Sequence, residues 1–233
     1  MPAPTALELL WGVERRPARG PKPALTPERI AAEAIALADA DGLATLSMQR
    51  LAERLGFTKM SLYRYVPGKA ELVALMLDAA IGAPPELPAG DWRAGLSRWC
   101  ETLYERFRAH PWALAVSVGS RPIGPNEVAW MEAALTALAG TGLSTAERLD
   151  SIVLLTGHAR SLGQQTVAVD PDRFERDLAE QFTAVLATAA ERYPAAVAAF
   201  GEEGAVAGGE GALAFGIGRI LDGLAVLMER RGH

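Results

Sequence analysis

The 233-residue chain has one cysteine, three histidines and an aromatic content of 6%. The single Cys100 excludes an internal disulfide. Its place in an apolar helical pattern (Leu96, Trp99, Cys100, Leu103, Phe107) suits a reducing compartment. His110, His158 and His233 lie far apart and form no Cys/His metal spacing. There is no Gly-x-Ser-x-Gly and no phosphate-cradling glycine loop. No catalytic residue, metal or cofactor is therefore expected, and His110, just before Pro111, reads as a cation at a helix C-terminus. Apolar runs fall short of a bilayer span and no signal-peptide pattern precedes the first charges, so the expectation is a soluble, cytoplasmic protein. Half of the residues are hydrophobic, with alanine and leucine abundant. That composition favours an all-α fold with a substantial core.

The formal net charge is −5, which at first argues against a polyanionic partner. The charge is unevenly spread. Residues 1–69 hold ten Lys and Arg against seven Asp and Glu, a net of +3, and residues 70–233 hold thirteen against twenty-one, a net of −8. The basic part is where a nucleic-acid motif lies.

That motif spans residues 47–69. Ser47 can cap a short helix whose inner face is Met48, Leu51, Ala52 and Leu55. Gly56 supplies a left-handed turn, and Thr58 opens a second short helix, 58–65, anchored by Leu62. Its outer face has hydroxyls and cations and no carboxylate, which suits a major groove. Ser47, Arg50, Tyr63 and Lys69 are the candidates for phosphate contacts. Gln49, Lys59, Met60, Ser61, Arg64 and Tyr65 fall near base edges, with Thr58 open to either role. A tight helical hairpin in some other all-helical protein is the plain alternative.

Ile30-Ala31-Ala32-Glu33-Ala34 through Asp41-Gly42, Ser47 to Gly56, Ser61-Leu62-Tyr63-Arg64-Tyr65-Val66, Lys69 and Leu72 together resemble the DNA-binding domain of the tetracycline-repressor (TetR) family. The resemblance implies an all-α protein with an N-terminal three-helix helix-turn-helix DNA-binding domain and a C-terminal helical ligand-binding and dimerisation domain. The expected division is a basic flexible arm over 1–25, a DNA-binding domain over 26–83 and an effector and dimer domain over 84–233. Arg15, Arg16, Arg19 and Lys22 charge the arm, which reads either as a passive tail or as a strand laid along a groove. Within it, Leu7-Glu8-Leu9-Leu10-Trp11 can form one helical turn.

Thr26-Pro27 marks the start of the first helix. A further helix begins near Gly68 and ends before Pro84-Pro85. Asp91 caps the next. A short helix follows at 112–118, and Pro125 opens one with Val128, Met131, Leu135 and Leu138 inward. Ser144 and Glu147 form a capping box for a long helix reaching about Val169. A helix from Pro171 has Phe174, Leu178, Phe182, Val185 and Leu186 inward. Residues 194–210 read as a loop. The last helix carries Leu213, Ile217, Ile220, Leu221, Leu224, Leu227 and Met228.

Gly119-Ser120-Arg121-Pro122 and Gly157-His158 extend the resemblance to the family's C-terminal domain, which holds an effector among central helices and dimerises through a four-helix bundle. That implies apolar cavity walls at Trp99, Leu103, Phe107, Trp112, Trp130 and Met131. It implies polar anchors at Ser117, Ser120, Arg121, His158, Gln164 and Gln165. Arg121 in a buried site favours an anionic or carbonyl-rich ligand. Ser117 stands where the tetracycline repressor has a metal-coordinating histidine, which argues against metal-chelated tetracycline. Gly157, Gly163, Gly216 and Gly223 are expected to admit a partner helix, with the Leu213–Ile217–Ile220–Leu224–Leu227 stripe as the dimer seam. The expected function is a homodimeric regulator, a repressor released from an inverted-repeat DNA operator by a small-molecule effector. A ligand-independent regulator or activator, and a helical ligand-binding protein with a vestigial helix-turn-helix, stand as alternatives.

Overall fold

The structure, a computed structural model, describes residues 5–12, 25–166, 191–203 and 209–232, and all regular elements within them are helical. The N-terminal part has α1 (Ala6–Leu10), α2 (Pro27–Asp41), a 3-10 turn (Leu43–Thr45), α3 (Met48–Leu55), α4 (Lys59–Tyr63) and α5 (Lys69–Ile81). The body has α6 (Trp92–Ala109), α7 (Pro111–Val116), α8 (Pro125–Ala137), α9 (Thr145–Thr166), α10 (Pro194–Glu203) and α11 (Gly209–Glu229).

Most helix starts are set by a local hydroxyl or carboxylate, as the sequence predicts. Thr26 accepts from the Arg29 amide, Ser47 from Arg50, Thr58 from Ser61 and Asp91 from Ala94. Ser144 and Glu147 close a reciprocal box. Gly56 ends α3 at φ 74°, where a side chain would be strained. Ile30, Ala34 and Leu37 of α2, Leu51 of α3, Leu62 of α4 and Leu72 and Met76 of α5 form one buried cluster. Each fully buried large side chain contributes about 1.5–3 kcal/mol over an exposed one.

α6 is the axis of the body. Leu96, Trp99, Cys100, Leu103, Tyr104 and Phe107 are all buried against neighbouring helices, chiefly α9. Burial, and to a lesser degree the Glu101 charge, pushes the Cys100 thiol up to about 12, so it is an inert core side chain. At its C-terminal end α6 meets α2. Asp39 accepts from the Trp112 indole at 2.7 Å and sits 2.9 Å from His110 Nδ1. His110 is thus an inter-helix partner of a carboxylate as well as the end of its own helix.

Several expectations need correction. Residues 194–203 are helical, with Pro194 at the first position and an alanine-rich run, 195–199, behind it. The inward face of α8 is Trp130, Ala134 and Leu138, while Val128 and Met131 are exposed. The large Trp130 side chain sets the helix rotation, one position away from the Val128 and Met131 stripe. On α11, Leu213, Ile217 and Leu224 are buried within the same chain against α6 and α9, so that stripe is core and not a free seam. Residues 6–10 form a helix seated on α5, with Leu10 buried, and do not belong to a free arm. Among the described residues, 211–229 are long and apolar enough to cross a membrane, against the sequence expectation, but Asp222 there pairs with Arg93 and Arg219. The expected helix from Pro171, with its inward Phe174 to Leu186, the cations at 15–22 and His233 lie outside the described residues.

Candidate nucleic-acid interface and ligand cavity

α4 presents a short polar ridge. Thr58, Lys59, Met60 and Arg64 are exposed, Met60 at 73%. An apolar side chain left this open on a well-packed helix is free to meet a base methyl or a groove wall. Ser61 is half-buried, and its hydroxyl lies 2.9 Å from that of Thr58. Lys59 rests over the Tyr63 ring at 5.7 Å, which holds its ammonium on the outer side of α4. Tyr63 and Tyr65 pack their rings partly against the core.

On α3, Ser47 and Gln49 are exposed, with the Gln49 amide donating to Glu53 at 2.6 Å. Arg50 pairs with Asp41 and donates to Thr45 at 3.0 Å, so it is engaged within the chain. The Lys69 ammonium donates to the Leu46 carbonyl at 2.8 Å, tying the start of α5 to the turn before α3. The ridge itself, Thr58 to Tyr65, has no carboxylate of its own.

A second candidate site lies where α5 ends. A half-enclosed cavity of about 210 Å³ is lined by Ile81, Trp99, Leu103, Phe107, Ser117, Arg121, Ile123, Glu127, Trp130, Met131, Ile152, Thr156 and Arg160. The Trp99 and Trp130 rings meet edge to face at 5.4 Å and make an aromatic corner. Their indoles form a relay. Trp99 donates to the Trp130 carbonyl at 2.9 Å, and Trp130 donates to the Gly82 carbonyl, at the C-cap of α5, at 2.8 Å. The cavity wall is therefore bonded to the helix that begins beside α4.

Of the residues the sequence puts here, Trp99, Leu103, Phe107, Ser117, Arg121, Trp130 and Met131 converge on the cavity. The others do not. Trp112 is held at the α2 joint by Asp39. His158 lies 3.2 Å from the Leu213 carbonyl and packs on Gly216, where any side chain would collide with its ring. Ser120, Gln164 and Gln165 are exposed away from it. Arg121 is matched by Glu127, which it pairs with bidentately, so it is not a free cation for an anion. Besides Glu127, which pairs with Arg121, the polar side chains the sequence missed are Arg160 and Thr156. They sit one turn apart on α9, and Arg160 has no ion-pair partner among the described residues. Their four-residue spacing was available in the sequence, but the face they share was not. A larger depression of about 700 Å³, beside Pro85–Trp92 and the end of α8, is lined by none of these aromatic or charged groups.

The rim of the cavity, residues 117–124, leads into α8. Gly124 has no side chain to cap that helix. The carboxylate of Asp78, on α5, does so instead, accepting from the Asn126 amide at 2.9 Å, the Glu127 amide at 3.3 Å and the Asn126 side chain at 3.0 Å. A Cβ at Gly124 would collide with this carboxylate. Burial, then the neighbouring Glu127 charge, raises Asp78 above the usual carboxylate range in spite of these bonds.

Among the described residues, the outer faces of α9 and α11 hold a strip of exposed apolar side chains. Leu149, Val153, Leu154, Phe215 and Val226 are exposed, Val153 and Phe215 at 68% and 70%. Gly157, Gly218 and Gly223 have open space above them. Gly163 and Gly216 face their own chain, against Leu114 and Phe107 in one case and His158 in the other, contrary to the sequence expectation for these two.

A model of the bacterial regulatory proteins of the tetR family matches residues 30–76, and a model of the tetracyclin repressor-like C-terminal domain matches residues 84–228. The transcriptional repressor DrrR1 of Streptomyces coeruleorubidus is 42% identical over 241 residues, covering 97% of this chain and 87% of the relative. ActR of Streptomyces coelicolor, solved without ligand, superposes with a TM-score of 0.77 at 25% identity over 90% of this chain and 99% of ActR. Its complex with actinorhodin gives 0.76 at 27% identity over the same shares.

Proposed function

The chain belongs to the tetracycline-repressor family of transcriptional regulators, and on that premise we propose that it is a cytoplasmic, homodimeric repressor released from an inverted-repeat operator by an aromatic, acid-bearing small molecule. Residues 26–83 serve DNA and residues 84–233 serve effector and dimer, with α5 common to both. The observation that carries this reading is the indole relay. A ligand packed on Trp99 and Trp130 acts on the group that holds the C-terminal end of α5, and Lys69 fixes the other end of α5 beside the helix-turn-helix. A shift of α5 changes how far apart the two α4 ridges of a dimer stand. The ligand then favours the spacing that does not fit DNA.

The aromatic corner and Arg160, which has no ion-pair partner among the described residues, support the ligand class, as does actinorhodin in the similar ActR. The apolar strip on α9 and α11 supports the dimer. The test is a gel-shift on a duplex selected from a random pool, followed by titration with actinorhodin. Release at saturating ligand is expected. A complex that survives ligand occupancy, measured in parallel by calorimetry, would end the release mechanism.

A further inference from the structure

Residues 5–12 lie outside both matched family models, yet they form a finished element. Thr5 and Glu8 close a capping box over α1, with the Thr5 amide donating to the Glu8 carboxylate at 2.7 Å. Gly12 turns the chain at φ 57° just after it. α1 packs on α5 and buries Leu10. Its end then reaches the body. The Trp11 indole N–H donates to the Ile123 carbonyl at 3.0 Å, across 112 positions of sequence. Ile123 belongs to the rim of the cavity and lines it.

We propose that Trp11 is a positioning residue of the effector cavity, and that α1 holds the rim segment 117–124 in place for the ligand. This rests on the reading of the cavity as the effector site. Among the described residues, the rim is also tied by the Arg121 bonds to the Ser117 and Pro122 carbonyls, and by Asp78 and Glu127. Val118 and Ile123 are about half exposed, and Gly119 at φ 85° interrupts any regular structure. Asp78 fixes the rim only where it enters α8, and Arg121–Glu127 braces it along one side. The Trp11 bond fixes the remaining side. A rim already in position costs a ligand no ordering of those residues on binding, whereas a loose rim would have to be ordered at the ligand's expense.

Trp11→Phe removes the donor and keeps an aromatic ring, and Leu10→Ala loosens α1 from α5 while keeping the indole. In the full-length protein both should speed amide exchange over 119–126, by about two- to tenfold for the single hydrogen bond removed in Trp11→Phe. Both should weaken actinorhodin binding by a similar factor in calorimetry. For Trp11→Phe, ligand-free operator affinity should stay within about twofold of wild type, since neither α4 nor the packing of Leu10 on α5 is touched. That split separates positioning from a plain loss of stability, which would move operator affinity and exchange throughout the chain together. Unchanged exchange at the rim, unchanged or tighter actinorhodin binding, or a uniform change throughout would overturn the proposal. Failure of the wild-type protein to take up actinorhodin would remove the ligand class proposed above, and rim exchange would then decide the role of Trp11 alone.

Discussion

Asp78 does for α8 what Ser47, Thr58 and Asp91 do for their own helices, but from another helix. Asp78→Ala leaves two amides at the start of α8 without their acceptor, at a cost of about 1–3 kcal/mol. For a chain of this size the melting temperature should fall by roughly 2–4 °C for each kcal/mol. Its pH dependence has a definite sign. Because the folded-state pKa is raised, the contribution of this group is fully present below its unfolded value and is lost as pH rises through the folded one. The wild-type advantage over Asp78→Asn should therefore be largest at low pH and shrink as pH rises, measured by thermal melts across that range. Trp130→Phe keeps the aromatic corner and cuts the relay to Gly82. Operator binding should persist while actinorhodin loses its power to release the duplex, and normal release would show that α5 is moved by some other contact. On the other face, Lys59→Ala should lower operator affinity. Arg64→Ala should lower it or relax base preference by about 1–3 kcal/mol if the guanidinium reads a guanine. Gel-shifts in which both variants match wild type would remove α4 from the interface.

At the scale of helices, much of the chain was legible because cap chemistry is local. Thr26, Ser47, Thr58 and Ser144 each find their amide three residues on, so a hydroxyl before an apolar rhythm marks a start with no tertiary knowledge. The cap of α8 was not legible, since its carboxylate lies 48 residues away and Gly124 offers only an absence. The rotation of α8 was misread because periodicity counts apolar residues and not their size. On α11 the rhythm found the buried side correctly but could not tell a chain's own core from a partner's. The free side of the α9–α11 pair is where Val153 and Phe215 lie open. A charge at Val153 is solvated in the monomer and buried in a dimer. Val153→Arg should thus give a folded monomer with weak operator binding, read by light scattering beside a titration. Ile220→Arg is the less clean test, because Ile220 packs partly against its own chain's core. A stable Val153→Arg dimer would move the interface to another surface.

Over the whole molecule, charge is sorted along the chain, +3 over residues 1–69 and −8 over 70–233, so the body is repelled from a duplex that attracts the helix-turn-helix. A two-fold dimer that sets its α4 ridges one DNA turn apart, roughly 34–36 Å, calls for an inverted repeat with half-sites about ten base pairs apart. Changing Arg15, Arg16, Arg19 and Lys22 to Gln should flatten the salt dependence of operator binding by about 0.9 log unit for each phosphate no longer neutralised. An unchanged slope would make these cations bystanders. Deleting residues 1–24 would not test this, because it also strips α1 from α5. The same interlocking bears on exchanging parts between regulators. The Pro84-Pro85 pair looks like the natural seam, but a body cut there would leave behind the carboxylate that starts α8, the Gly82 carbonyl that receives Trp130 and the helix that braces Ile123. A working hybrid with a foreign reading head should keep α1 and α5 with the body, and its grafted α2 must still pack on α5 and offer an acceptor to Trp112 where Asp39 stands.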